Sequence, residues 1–167
     1  RSILGPLWTT LSMGVFVAAL GTLYAKLFNR PPDIYIPHLT LGFLAWTFLA
    51  GIIGGGCNAF IGAERYIKEM RVPLSAFVYR MIWQHVIMLC YQSLVYVAVA
   101  VIFDIRPGLV AVLAVGGLAL FVVNAVWVGL LMGILATRYR DVPEIVSNII
   151  RILFFLSPIL WMPEMAG

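Results

Sequence analysis

From Leu109 to Ala136 the chain carries no charged residue, and none falls between Leu39 and Ala63. No Asp, Glu, Lys or Arg lies between Met81 and Phe103 either. A helix that crosses a bilayer needs about 20 mostly apolar residues, and each of these runs is long enough. The rest of the composition agrees. Hydrophobic residues make up 63% of the 167 and charged residues 11%, and the mean hydropathy is +1.03. A soluble domain carries about 25% charged residues. So few charges cannot cover a water-facing surface, so lipid must solvate most of this one.

Five spans are read on this basis, at about 7–28, 39–63, 81–103, 109–136 and 145–161. Lys26 can snorkel from the end of the first, and Pro158 interrupts the last. Runs such as Val95–Val101 have strand-like composition, but an open sheet edge is not tolerated in hydrocarbon. The alternation of a membrane barrel is also missing. The reading is an all-α integral membrane protein, a polytopic helical bundle, with 1–167 as a single transmembrane domain.

The basic residues set its orientation. With the N-terminus cytosolic, Arg1, Arg65, Lys68, Arg71, Arg80, Arg138, Arg140 and Arg151 lie on or near the cytosolic side. Lys26, Arg30 and Arg106 lie outside. This bias satisfies the positive-inside rule. The outer loops are then about 29–38, rich in proline, and 104–108. The inner loops are about 64–80 and 137–144. A net charge of +4 could suggest nucleic acid, but the basic residues sit at the ends of apolar runs, where they orient helices and meet anionic headgroups.

Little in the sequence points to catalysis. His38 and His85 are the only histidines and form no H-E-x-x-H motif. There is no glycine-rich loop followed by Lys-Ser or Lys-Thr, so the chain binds no ATP through a P-loop. No metal or cofactor is expected on this chain. Cys57 and Cys90 read as reduced residues within apolar segments. Asp141 and Glu144 fit a helix N-cap with its capping box, with Pro143 in the first turn. Gln84, Gln92 and Asn124 are polar in mid-span and are expected to face protein. Arg151 lies inside the fifth span, where a central arginine costs about 2.5–3.5 kcal/mol on insertion scales. It either snorkels to headgroups or faces a polar pathway or an anionic headgroup. Gly51, Gly55 and Ala59, and Gly129 with Gly133, have small-xxx-small spacings that allow close helix approach, within one bundle or at a sliding or subunit interface.

The polar islands carry more information. Glu64-Arg65-Tyr66-Ile67-Lys68-Glu69-Met70-Arg71 reads as a short helix, with opposite charges paired four apart at Glu64/Lys68 and Arg65/Glu69. Its apolar stripe can lie on headgroups or dock a cytosolic partner. The second island, Thr137-Arg138-Tyr139-Arg140-Asp141, is also basic and aromatic. Neither leaves room for a soluble domain, so any energy source must be a separate protein.

Four stretches together resemble the permease subunit of type-2 ABC exporters, especially those of O-antigen and related polysaccharides. Ser2 to Trp8 is similar to the approach to that family's first membrane helix. Ile67-Lys68 to Pro73-Leu74 is similar to its loop between helices two and three. Thr137 to Val142 is similar to the basic turn after helix four, and Phe154 to Trp161 to its proline-broken fifth helix. Tyr91-Gln92 stand where some O-antigen exporters carry His-Asn.

The resemblance implies six membrane helices, of which five are visible here, and half of a homodimeric transporter. The sixth helix and an amphipathic N-terminal segment are expected outside this chain, and Met162–Gly167 would begin an outer re-entrant region. It also implies an ABC ATPase partner that binds ATP and Mg, a polyprenyl-linked glycan as substrate, and the bacterial inner membrane as location. Glu64, Arg65, Tyr66, Ile67, Lys68 and Glu69, with Arg138, Tyr139, Arg140 and Asp141, would receive the ATPase stroke. Sugar rings stack on aromatic faces, so Phe43, Trp46, Trp83, Tyr91, Tyr96 and Trp127 are candidates for a glycan path, together with Arg151. The competing readings are a type-2 exporter of drugs or other lipids, and a membrane-embedded enzyme or scaffold.

Overall fold

The computed structural model describes residues 5–69, 72–105 and 108–160. Arg1 to Leu4, Met70, Arg71, Arg106, Pro107 and everything from Trp161 onward lie outside the described residues. So do the Ser2–Leu4 part of the first resemblance, the end of the first island and the expected re-entrant region.

The described residues are helical and contain no strand, as expected of a polytopic membrane bundle. The elements are α1 (Gly5–Leu27), α2 (Pro32–Ile61), α3 (Glu64–Glu69), α4 (Leu74–Ile102), α5 (Leu109–Arg138) and α6 (Val142–Leu156). At 1.5 Å per residue α2, α4 and α5 are each about 43–45 Å long and α1 about 35 Å. All four are long and apolar enough to cross a membrane. Their surfaces are unlike those of a soluble protein: Val101 is 76% exposed and Leu113 74%. Hydroxyls on these helices donate back to their own backbone, as Ser12 does to Trp8 O and Thr22 to Ala18 O. That satisfies them without water.

The structure differs from the sequence reading in three places. The stretch from Asn29 to His38, expected as a loop, is mostly helix, because α2 begins at Pro32. Proline suits the first helical position, where its missing N–H would have had no partner. The fifth stretch folds as α6, of 15 residues. Its length of about 22 Å falls short of a hydrocarbon core of about 30 Å, and it is not among the four helices long and apolar enough to cross a membrane. Glu144, Ser147, Asn148 and Arg151, spaced i, i+3, i+4 and i+7, also give it a polar face. Third, no hydrogen bond to the Asp141 carboxylate caps α6 among the described residues. Asp141 does hold the N-cap position through its backbone, with Ile145 N donating to Asp141 O at 3.0 Å. One of the two amides an N-cap side chain reaches belongs here to Pro143, which has no N–H.

Two helix ends are built alike. After α1, Asn29 has φ of 50°, Arg30 N donates to Ala25 O at 2.9 Å, and Asn29 N to Lys26 O at 3.3 Å. After α4, Asp104 has φ of 50°, Ile105 N donates to Ala100 O at 2.9 Å, and Asp104 N to Val101 O at 3.5 Å. These are Schellman closures with a short polar residue at the left-handed position.

The chain forms two compact units. One comprises Arg1–Thr47, Ile87–Arg106 and Phe154–Gly167; the other comprises Phe48–Val86 and Pro107–Leu153. In the first, Ala25, Tyr35, Leu39 and Ile159 make one buried cluster, and Met13, Val17, Ile36 and Val99 another. The turn after α6 is tied to α2 there. Tyr35 Oη donates to Leu160 O at 2.7 Å, His38 Nε2 pairs with Pro158 O at 3.2 Å, and Ile159 packs against Gly42.

Glycines govern packing in the second unit. A Cβ built on Gly55 would lie 2.9 Å from His85 Cε1, and one on Gly56 3.1 Å from Gly129 Cα. Gly133 faces the ring of Phe60, whereas Gly54 has nothing within 4 Å. Gly51, Gly55, Gly56, Gly129 and Gly133 therefore serve contacts within the unit. Of the mid-span amides, Gln92 is engaged by Thr47 Oγ1 at 3.2 Å. Contrary to expectation, Gln84 and Asn124 are exposed. Asn124 is satisfied on its own helix, donating to Leu120 O and accepting from Trp127 Nε1 at 3.0 Å, which lets it stand away from protein. Cys57 is buried and Cys90 exposed, both free.

Candidate functional site

The first island folds as α3, a helix of six residues with none buried. So short a helix does not stand alone in water. It is fastened to the end of α2 by backbone bonds, Gly62 N to Asn58 O, Ala63 N to Phe60 O and Ile67 N to Ala63 O. Arg65 Nε donates to Glu69 Oε1 at 3.1 Å, and Lys68 Nζ donates to Glu64 Oε1. All four side chains are mostly exposed, Arg65 by 86%. Exposed pairs of this kind add little stability; they fix which charges the helix presents. Tyr66 is exposed and Ile67 half-buried.

The second island follows α5. Tyr139 N donates to Leu135 O at 2.8 Å, and Tyr139 itself is extended, with φ −125° and ψ 108°, so the helix stops there. Val142 N then donates to Tyr139 O at 3.2 Å, closing a turn that leads into α6. The guanidinium carbon of Arg138 lies 5.8 Å from the centre of the Tyr139 ring. Both residues are exposed, as are Arg140 and Asp141.

These two islands meet. Phe60, Ile61 and Glu64 on one side and Ala136, Thr137 and Arg140 on the other line one cavity of about 480 Å³. Electrostatics link the same residues. The hydrogen bond and charge of Lys68 hold the Glu64 carboxyl below the usual carboxylate value, and Arg140 adds to the effect from across the cavity. The result is an exposed, charged surface beside an open cavity. It offers arginine and tyrosine, residues enriched at protein interfaces, together with exposed lysine and glutamate.

The expected path residues are less unified. Phe43 and Trp46 converge on Phe154, with ring centroids 6.1 and 5.8 Å away, and Phe43 also stacks on Phe16 at 4.7 Å. They form a packed aromatic cluster. On α4, Tyr91 and Tyr96 lie about 80° and 220° around the helix from Trp83 at 100° per residue, so these three share no single face. Trp83 is 66% exposed and Trp127 57%. Arg151 is exposed on the polar face of α6. The sequence reading gave His85 no role, yet its ring rests on Gly51 and Gly55. Glycines four apart marked a close approach, but nothing in the sequence named what approaches.

The long apolar helices, their exposed apolar surface and the paired charged islands at helix ends define a multi-pass membrane protein. The family model described as ABC-2 type transporter matches residues 1–166, and the chain belongs to that family. It is accordingly a permease subunit of an ABC exporter and is not itself the ATPase; the family implies an ABC ATPase partner. No curated protein matches the chain.

Proposed function

We propose that this permease moves a lipid-linked polysaccharide of the O-antigen kind across the bacterial inner membrane. It would work as one half of a homodimer, with its N-terminus in the cytosol. The partner ATPase, which carries ATP and Mg, docks on α3 and on the turn Arg138–Asp141. The observation that carries this reading is the shared cavity of the two islands, with Glu64 under the influence of Arg140. Two segments far apart in sequence present one surface, so a partner pressing on α3 also presses on the end of α5. The mixed charges of that surface give a partner register and orientation as well as affinity.

Charge reversal at Arg65 and Lys68 tests the coupling. The doubly reversed protein should insert normally but lose export and the stimulation of its partner's ATP hydrolysis. Unimpaired coupling would rule the surface out. For the substrate, cells lacking the permease should accumulate lipid-linked glycan on the cytosolic side. Accumulation of a drug or another lipid instead would assign the chain to a different branch of type-2 exporters.

A further inference from the structure

A second cavity, of about 320 Å³, opens between the end of α2 and the first turns of α4. Its α2 wall is made of small residues, Gly55, Ala59, Gly62 and Ala63, and Asn58. Its α4 wall carries Phe77, Arg80, Met81, Gln84 and His85. No acidic residue lines it among the described residues. Arg80 has no ion-pair or hydrogen-bond partner among the described residues, and neither has Gln84. The two acids of α3, Glu64 and Glu69, are paired with Lys68 and Arg65. His85 closes the floor, its Nδ1 donating to Met81 O at 2.9 Å. Asn58 uses one amide hydrogen on Gly54 O at 3.0 Å and keeps the other.

Depth decides what such a cavity can meet. α4 is about 43 Å long against a hydrocarbon core of about 30 Å. A centred helix therefore projects about 7 Å at each end. Arg80 is the seventh residue of α4, about 9 Å from its start, which puts it close to the boundary between headgroups and acyl chains. Tyr79 and Trp83, both exposed, stand beside it and suit that level, because amphipathic rings concentrate there. An unpaired guanidinium and free amide donors at this depth, above a largely apolar wall, match an anionic headgroup whose chains remain in the bilayer. Guanidinium binds phosphate well because it offers several fixed donors at once.

We propose that this cavity binds the phosphate of a lipid headgroup, with Arg80 as the charge partner, Gln84 and Asn58 as further donors, and Phe77 and Met81 against the first part of the chains. The site is distinct from the surface formed by α3 and the Arg138–Asp141 turn, and it does not depend on which substrate the permease carries.

Native mass spectrometry of the detergent-solubilised full-length permease, titrated with phosphatidylglycerol, tests it. Diacylglycerol with the same chains serves as the phosphate-free control and inorganic phosphate as the competitor. Arg80→Gln should weaken phosphatidylglycerol binding at least tenfold, about 1.4 kcal/mol, and leave diacylglycerol binding as it was. Arg80→Lys should recover part of the loss, and Lys26→Gln, outside the cavity, should show none. Ala59→Leu fills the cavity without changing charge and should reproduce the Arg80→Gln loss. Displacement by millimolar inorganic phosphate would mean that the phosphate group alone suffices and free phosphate also binds; resistance to it would mean that the lipid chains hold the ligand. The proposal is overturned if Arg80→Gln or Ala59→Leu binds phosphatidylglycerol like the wild type, or if diacylglycerol binds as tightly as phosphatidylglycerol.

Discussion

Gly51 lies so close to His85 that a Cβ built on it would come within 2.7 Å of the imidazole Nε2. The ring cannot simply swing away, because Nδ1 is held by Met81 O at 2.9 Å. Gly51→Ala should therefore cost about 1–3 kcal/mol, the usual range for overpacking a filled contact. Gly54→Ala, three residues on in the same helix, has nothing within 4 Å to meet. It should be neutral or stabilising by up to about 1 kcal/mol, the difference in helix propensity. Thermal unfolding of the two variants in one detergent checks the contrast, which fails if both shift the midpoint alike.

The Glu64 carboxyl is held below its ordinary value, chiefly by the hydrogen bond from Lys68. Its folded-state value is thus lower than its unfolded one. The support it gives to α3 is complete above the unfolded value, about 4.3, and is lost as pH falls through the lower folded value. Amide exchange across α3 should accelerate in that acidic window and stay flat above it. Glu64→Gln should remove this step. Because the pair is exposed, 1 M salt, with a screening length of about 3 Å, should bring the carboxyl back toward its usual value. A carboxyl titration by NMR that is indifferent to both Lys68→Ala and salt would show that the cause lies elsewhere.

What the sequence made legible was what depends on local pattern. Charge-free runs located α1, α2, α4 and α5, and a four-residue spacing matched Arg65 to Glu69 and Lys68 to Glu64. The reading failed where one pattern has two outcomes. Prolines between Asn29 and His38 suggest a loop, yet Pro32 opens a helix. The apolar stretch after Ile145 suggests a span, yet α6 stops at Leu156. Its polar face was legible in the spacing of Glu144, Ser147, Asn148 and Arg151, but hydropathy averaging hides such a face. Contacts distant in sequence left no trace at all: nothing local to Glu64 points to Arg140, and nothing local to Gly51 points to His85.

The two Schellman closures make a paired prediction. Asn29 and Asp104 each hold a φ of 50°, a region that costs most L-residues about 1–2 kcal/mol and β-branched ones most. Asn29→Val and Asp104→Val should each destabilise by about that amount, whereas Asn29→Gly and Asp104→Gly should be tolerated. Protease accessibility of the turns, compared across the four variants, distinguishes a conformational cost from a lost side-chain contact. A glycine variant as susceptible as its valine counterpart would argue for the side chain.

The turn after α6 is held to α2 by a side chain the sequence did not single out. Tyr35 is fully buried and its hydroxyl donates to Leu160 O at 2.7 Å. Tyr35→Phe keeps the ring within the cluster of Ala25, Leu39 and Ile159 and removes only that donor. The expected loss is about 0.5–1.5 kcal/mol, the net value of one such bond. It should be local, because the ring still fills its space: amide exchange should rise at Ile159 and Leu160 while α1 and α5 keep their protection. His38→Ala, which removes the contact to Pro158 O, should loosen the same turn. If the two contacts act as one clasp, the double variant should cost less than the sum of the single ones, since either break already frees the turn. Strict additivity would mean that each contact holds its own residue independently.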